Sequence, residues 1–135
     1  MGYFDSWNKR VPFSHILGKT VTMIEGGVGD EEIKFHTDDG VYVMYHEQDC
    51  CENVYVEDVT GDLQDLIGSP ILLAEESTSD TNPEGVVMGY QDCFTWTFYK
   101  LATIKGYIDI RWYGESNGYY SESVDFAFYP KGVLQ

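Results

Sequence analysis

The sequence predicts an all-β or β-rich α+β fold, built as an antiparallel sheet or a sandwich with one short helix near residues 61–67. Apolar and polar residues alternate with a period of two along most of the chain, which is typical of half-buried strands. Turn sequences that contain Gly separate these runs at short intervals. A chain of 135 residues, 43% of them hydrophobic and with no Pro/Gly/Ser-rich linker, fits one domain over residues 1–135.

Four alternating runs predict strands in the first half of the chain. Asp39 and Gly40 predict a two-residue hairpin turn between the second and third runs, because a type I′ turn needs positive φ at both positions. In that register His36 faces Val43. The predicted strands cover residues 19–24, 32–37, 41–47 and 53–59.

The one predicted helix covers residues 61–67 and is about two turns long. Either Asp58 or Thr60 caps its start, since both side chains accept hydrogen bonds from backbone N–H groups. Gly68 and Pro70 end it, because Gly permits the left-handed conformation and Pro cannot continue a helix.

The other segments complete the β-rich pattern. The apolar run 71–74 predicts a short buried strand, and the polar stretch 76–92 predicts a long acidic loop. We expect residues 1–12 to be loosely ordered and residues 12–18 to include one helical turn. Three aromatic-rich runs in the last third predict an antiparallel meander, at residues 94–99, 107–112 and 120–128.

The charge distribution limits the classes of partner. The formal net charge is −15, and the segment between Lys34 and Lys100 contains no basic residue but fourteen acidic ones. Like charges oppose compaction while favouring solubility. Direct nucleic-acid binding needs Lys and Arg to neutralise phosphates, and the chain has eight in all. Anionic membranes are disfavoured for the same reason, and no stretch is apolar enough to span a bilayer.

The acidic segment therefore predicts a surface that docks on a basic protein. Clustered charge gives such a binding protein fast, salt-sensitive association, and carboxylates pair well with Arg-rich surfaces. Nine acidic residues are the predicted partner-binding set: Asp38, Asp39, Glu47, Asp49, Glu52, Glu57, Asp58, Asp62 and Asp65.

The three cysteines do not predict a disulfide framework. Cys50 and Cys51 are adjacent and can hardly bridge each other without strain, and Cys93 makes the count odd. Disulfides are rare in the cytosol, so we expect reduced thiols and a cytoplasmic protein.

His46, Asp49 and Cys51 are the candidate metal ligands, because imidazole, carboxylate and thiolate occur close together here. A structural zinc site needs four converging ligands, usually with C-x₂₋₄-C spacing, and this spacing is missing. The hairpin register also places His36 and His46 on opposite faces, so the two rings cannot share an ion. We therefore predict no metal and no cofactor.

The sequence contains no motif that predicts catalysis. G-x-S-x-G, the P-loop and H-E-x-x-H are all missing, and many carboxylate pairs are expected from the composition alone. The prediction is a non-enzymatic binding protein. Three alternatives stay open: an enzyme or ligand-binding protein that uses the Cys/His/carboxylate cluster, a structural component such as a virion protein, and a halophilic protein whose acidity serves no partner.

Five strings of the sequence carry a family resemblance: D-C-C-E-N-V (49–54), D-V-T-G-D-L (58–63), L-I-G-S-P-I-L (66–72), A-E-E (74–76) and F-T-W-T-F-Y (94–99). Together they resemble a family of small, acidic, uncharacterised proteins from phages, prophages and bacteria. The resemblance covers residues 15–130 and brings no catalytic residue with it. It implies a virus-associated accessory protein in the host cytoplasm that inhibits a host factor, such as a nucleic-acid-handling or defence-related protein.

Overall fold

The computed structural model describes residues 9–48, 50–83, 93–118 and 121–131. These residues form β1 (Val21–Glu25), β2 (Glu32–Thr37), β3 (Gly40–Tyr45), β4 (Asn53–Thr60), β5 (Leu73–Ser79), β6 (Cys93–Thr103), β7 (Gly106–Ser116) and β8 (Asp125–Pro130). Sheet 1 has the strand order β1-β2-β3-β8, and sheet 2 has the order β4-β7-β6-β5. All strand pairs are antiparallel, which confirms the predicted fold class.

The two sheets pack face to face because each presents an apolar row to the other. Tyr42 and Met44 of β3 and Ile110 and Trp112 of β7 belong to the same fully buried cluster. The Trp112 Nε1–H donates a hydrogen bond to Met44 Sδ at 3.1 Å, which joins the sheets across the core. Of the two predicted arrangements, a single sheet or a sandwich, the protein therefore forms the sandwich.

Two short 3-10 turns complete the described structure. The first, Phe13–Ile16, lies within the predicted helical turn 12–18. Its Phe13 ring packs against Tyr99 of sheet 2 at 4.7 Å and Phe126 of sheet 1 at 5.0 Å between ring centroids. It therefore closes one side of the sandwich.

The second 3-10 turn, Leu63–Leu66, replaces the predicted helix at residues 61–67. Its cap is Asp62, whose carboxylate accepts a hydrogen bond from the Gln64 N–H at 2.9 Å, rather than Asp58 or Thr60. Gly61 and Gly68 both have positive φ and redirect the chain, so too few residues remain between them for an α-helix.

The predicted acidic loop 76–92 was given too early a start, because the strand before it continues through Ser79. Residues 76–79 continue β5, which pairs with β6 from Leu73↔Ala102 to Ser79↔Trp96 without a bulge. The long aromatic strand β6 supplies backbone partners for this polar segment, and an edge strand tolerates polar side chains on both faces. Residues 84–92 of the predicted loop, and residues 1–8 of the predicted N-terminal segment, lie outside the described residues.

The β2–β3 turn is wider than predicted. His36 pairs with Val41 rather than Val43, which leaves four residues in the turn. The Thr37 hydroxyl donates to the Gly40 carbonyl and accepts from the N–H groups of Asp39 and Gly40, which fixes this geometry. The register shift is two residues, which leaves the faces of the paired residues unchanged, and His46 lies beyond the last pair, Glu32↔Tyr45.

The predicted C-terminal meander is only a hairpin. β6 and β7 pair over eleven residues each, but β8 leaves them and pairs with β3 of sheet 1. The physical reason is that β8 has apolar side chains on both faces, and sheet 1 buries both of them. Phe126 faces the sandwich core, while Ala127 and Tyr129 pack with Val43 and Tyr45 in a second buried cluster on the other face of sheet 1.

Candidate functional site

The eight described members of the predicted partner-binding set lie in three separate places. Val21 pairs with both Thr37 and Ile67, so the β2–β3 turn and the second 3-10 turn lie at the same end of the sandwich. We call residues 37–40 and 62–68, together with Lys19, the Lys19 end. It holds four of the nine: Asp38, Asp39, Asp62 and Asp65.

Lysines offset part of the charge at the Lys19 end. Lys19 Nζ lies 2.7 Å from Asp39 Oδ2, and this hydrogen bond and the lysine charge lower the pKa of Asp39. Lys105 Nζ donates to the Ile67 carbonyl at 2.7 Å. The Asp62 carboxylate is used as a cap. This end therefore presents mixed charge rather than a uniform anionic surface.

Glu57 and Asp58 lie on β4 and pair with one arginine. Arg111 Nε is 2.7 Å from Glu57 Oε1, and another guanidinium nitrogen is 3.8 Å from Asp58 Oδ2. The guanidinium also lies over the Trp96 ring, 5.2 Å from its centroid. Arg111 therefore offsets one of these two negative charges, and the Asp58 side chain remains about half exposed.

Two further members, Glu47 and Glu52, follow β3 at the opposite end of the sandwich. We call residues 46–48, 50–52 and 121–125 the His46 end. Asp49 lies outside the described residues. The Glu52 side chain has no exposed surface, so the structure excludes it from a docking surface.

Glu52 is buried because a network of donors surrounds its carboxylate. His46 Nε2 lies 2.8 Å from Oε2, and the Cys50 N–H donates to Oε1 at 2.9 Å. The Gln48 side-chain amide donates to Oε1 at 3.2 Å, to the Glu52 carbonyl at 2.7 Å and to the Cys50 carbonyl at 3.3 Å. Such a satisfied network holds His46, Gln48, Cys50 and Glu52 in fixed relative positions.

The geometry fixes the proton on one side of the His46 ring. Nδ1 lies 2.7 Å from the Ser123 carbonyl, which can only accept, so Nδ1 carries a hydrogen. Nε2 then shares a single proton with the Glu52 carboxyl group, as an ion pair or as a neutral pair. Both ring nitrogens are therefore occupied, and His46 has no free nitrogen with which to activate a nucleophile.

Cys50 and Cys51 form a disulfide with each other, contrary to the prediction of reduced thiols. The prediction was based on the strain expected in a bridge between adjacent cysteines and on the odd cysteine count. Residues 50–51 form a bend, which places both sulfur atoms on one side. Cys93 is an exposed free cysteine.

The two described candidate metal ligands, His46 and Cys51, are both otherwise engaged. Cys51 lacks a thiolate in the disulfide, and both nitrogens of His46 are engaged in hydrogen bonds. Asp49 is outside the described part. Within residues 9–48, 50–83, 93–118 and 121–131, no three His, Cys, Asp or Glu side chains are grouped so as to hold a metal ion.

A small open depression of about 230 Å³ adjoins the His46 end, lined by Arg10, His46, Glu47, Ser121, Ser123 and Asp125. Arg10 pairs with Asp125 at 3.1 Å. Burial raises the pKa of Asp125, against the opposing effect of the Arg10 charge. The hydroxyl groups of Ser121 and Ser123 are 2.7 Å apart. These contacts link residues 121–125 to the N-terminal segment and do not build a nucleophile–base pair.

Two clusters of acidic residues that the prediction missed are more exposed than Glu52. The β1–β2 hairpin places Glu25, Asp30, Glu31 and Glu32 around a depression of about 350 Å³. This group precedes Lys34, so the acidic segment considered in the sequence did not include it. Glu75 and Glu76 lie on β5 beside a depression of about 560 Å³. The prediction placed the second of them in a loop.

Comparison with known proteins gives a family but no activity. A family model described as a domain of unknown function, DUF7448, matches residues 14–126. The chain therefore belongs to this uncharacterised family. No curated protein and no solved structure matches it. In the described part of the chain, no helix has the length and apolar character that crossing a membrane requires.

Proposed function

We propose that this protein is a non-enzymatic acidic binding protein that docks on a basic protein and blocks its surface. The observation that carries the proposal is the charge balance. There are 23 acidic and 8 basic residues. Arg10, Lys19, Lys34 and Arg111 already lie within 4 Å of carboxylates of the same chain. The excess negative charge must then lie on the molecule with few cations left to offset it.

The fold supports a binding role because it holds the charges on a rigid scaffold. A fully buried sandwich core and a satisfied network at the His46 end fix the backbone from which the carboxylates project. A pre-organised surface loses little conformational entropy on binding. Long-range attraction between opposite charges accelerates the encounter.

The resemblance to phage and prophage proteins supports the finer part of the proposal. On this resemblance alone we place the protein in the cytoplasm of a host cell, as a phage accessory protein, since the Cys50–Cys51 disulfide removes the argument from reduced thiols. Its partner is then a nucleic-acid-handling or defence-related host protein, whose basic surface normally meets phosphates. A carboxylate-rich surface competes for the same arginines and lysines.

The experiment is a pull-down from a bacterial lysate at about 0.05 M and about 0.3 M salt, followed by binding measurements with each purified candidate. We expect a basic protein that is retained at low salt and lost at the higher concentration. The control bait carries Glu31→Gln, Asp38→Asn, Glu75→Gln and Asp80→Asn, which neutralise exposed carboxylates, and it should associate more slowly. Retention that is equal at both salt concentrations, or partners with no basic surface, would contradict the proposal.

A further inference from the structure

The four sheet edges differ in how they are covered. The edge of β1 is bridged at its start, from Thr20 to Pro70 and from Val21 to Ile67. The edge of β4 is capped where the β1–β2 loop exchanges two hydrogen bonds with Val56, at 2.8 and 2.9 Å. An edge without such cover is a template for an additional strand.

The remaining two edges, at β8 and β5, differ from each other. Residues 9–11 extend sheet 1 beyond β8, with the Val11 N–H donating to the Phe126 carbonyl and the Phe128 N–H to the Lys9 carbonyl, each at 3.0 Å. The outer edge of β5 has no backbone hydrogen bond to another described residue. The first 3-10 turn packs beside β5 without pairing with it. Among the described residues, β5 is thus the edge strand whose outer side carries no backbone bridge, whereas β1 and β4 are each bridged over only part of their length.

β5 also lacks the usual protection of an edge. It contains no proline, lysine or bulge, and residues 75–78 are exposed on both faces. What it presents is negative charge. Glu75 pairs across the sheet with Lys100 on the outer face, and Glu76 pairs with Tyr99 on the other face. A second copy of this chain would bring like charges together, which disfavours self-association.

We infer that β5 is the docking edge for a basic extended segment of the partner, which adds as a strand to sheet 2. This inference rests on the proposed function and names the surface and the form of the partner. Adjacent side chains of an added strand point to opposite faces, so a Lys-Arg pair would meet Glu75 on one face and Glu76 on the other. The depression beside β5 contains Phe98, which suits the apolar stem of one basic side chain. Its lining also includes Lys100 and Asp109, so an added basic group would share the carboxylates there with Lys100.

The probe is a short synthetic peptide with a central Lys-Arg pair flanked by Thr and Val. In the protein without peptide, alternate backbone amides of residues 75–78 should exchange rapidly with deuterium, because their N–H groups point away from β6. Peptide binding should slow that exchange. Slow exchange of all four amides without peptide would overturn the inference, since the edge would already be covered.

Two N-methylated peptides test the strand geometry without altering the protein. One carries N-methyl groups at odd positions and the other at even positions, so only one set removes donors that face β5. We expect one peptide to lose at least about tenfold in affinity and the other to bind nearly as the parent does. Equal effects of both sets would exclude strand addition.

Charge variants separate this inference from the proposed function. Glu75→Gln with Glu76→Gln should weaken peptide binding about tenfold, whereas Glu31→Gln with Asp38→Asn removes the same charge elsewhere and should change it less than twofold. If the Glu31→Gln, Asp38→Asn variant loses more peptide affinity than the Glu75→Gln, Glu76→Gln variant, the basic-partner proposal stands and the β5 assignment fails. If the peptide does not bind at low salt, the β5 assignment fails, and the lysate experiment alone decides the proposed function.

Discussion

The His46 end and the Lys19 end of the sandwich both carry carboxylates, but they use them in opposite ways. At the His46 end the Glu52 side chain is fully buried and holds a histidine, a glutamine and a backbone N–H in place. At the Lys19 end the Asp39 side chain is more than half exposed and meets one lysine. Buried charge stabilises only when its partners are complete, whereas exposed charge is screened by water and salt. An acidic sequence therefore does not reveal which carboxylates serve the fold and which serve a partner.

The largest effect should come from breaking the buried pair. Glu52→Ala leaves the His46 ring, the Gln48 amide and the Cys50 N–H without their acceptor, so we expect the free energy of unfolding to fall by about 3–5 kcal/mol. Urea denaturation followed by fluorescence measures this loss. Glu52→Gln is the matched control and should cost less, because the amide oxygen still accepts hydrogen bonds. Equal stability of wild type and Glu52→Ala would show that the network does not fix the His46 end.

A smaller effect concerns the pH dependence of stability at Asp125, which adjoins the His46 end. Its folded-state pKa is raised by burial, so the native state binds the proton more tightly than the unfolded state does. Its contribution to stability is fully present below the unfolded pKa and is lost as the pH rises through the folded pKa. Wild type should therefore gain stability relative to Asp125→Asn as the pH falls from 7 toward about 4. Denaturation curves at several pH values test the sign, and a gain in the opposite direction would contradict the burial effect.

A further comparison uses the Cys50–Cys51 disulfide. A disulfide stabilises mainly by closing a loop in the unfolded chain, and this one encloses no residue between its two cysteines. We expect reduction by a dithiol to change the free energy of unfolding by less than about 1 kcal/mol, well below the loss in Glu52→Ala. Alkylation and mass spectrometry should count one free thiol before reduction and three after it. Three thiols in the protein purified without reductant would contradict the disulfide.

The smallest effect is expected at the Lys19 end. Asp39→Asn removes an exposed ion pair, so the melting temperature should be unchanged within error at physiological salt. Because the pKa of Asp39 is lowered in the folded state, the stabilisation it gives is present above its unfolded pKa and is lost as the pH falls through the folded pKa. Lys19→Met is the reciprocal control. If Asp39→Asn lost as much stability as Glu52→Ala, the distinction between the two ends would be removed.

The sequence predicted the strands well because period-two alternation reports directly on the two faces of a sheet. It located β1 to β4 closely, and it found the β6–β7 hairpin. It missed the transfer of β8 to sheet 1, because alternation says which residues face a core but not which strand lies alongside. It also missed the end of β5, where Glu76, Ser77 and Thr78 are polar on both faces and resemble a loop.

The site was less predictable for a similar reason. Composition counts carboxylates but does not say which of them are buried. Glu52 was predicted to dock on a partner, and only the fold shows that His46 and the Cys50 N–H enclose it. One signal was present in the sequence. Glu52 directly precedes the alternating run 53–59 and lies six positions after His46. At such a point the chain passes from one sheet to the other, and a carboxylate–histidine pair can be buried between them.

The pairing of β8 with β3 also has a consequence for how the protein is made on the ribosome. Sheet 1 joins a strand from the first half of the chain to one near residue 130, with all of sheet 2 between them in sequence. Contacts between distant parts of a chain form slowly, because a long loop must close before they stabilise anything. During synthesis β3 must therefore wait with its long edge uncovered. The abundant negative charge of the intervening segment would keep neighbouring nascent chains apart during that delay.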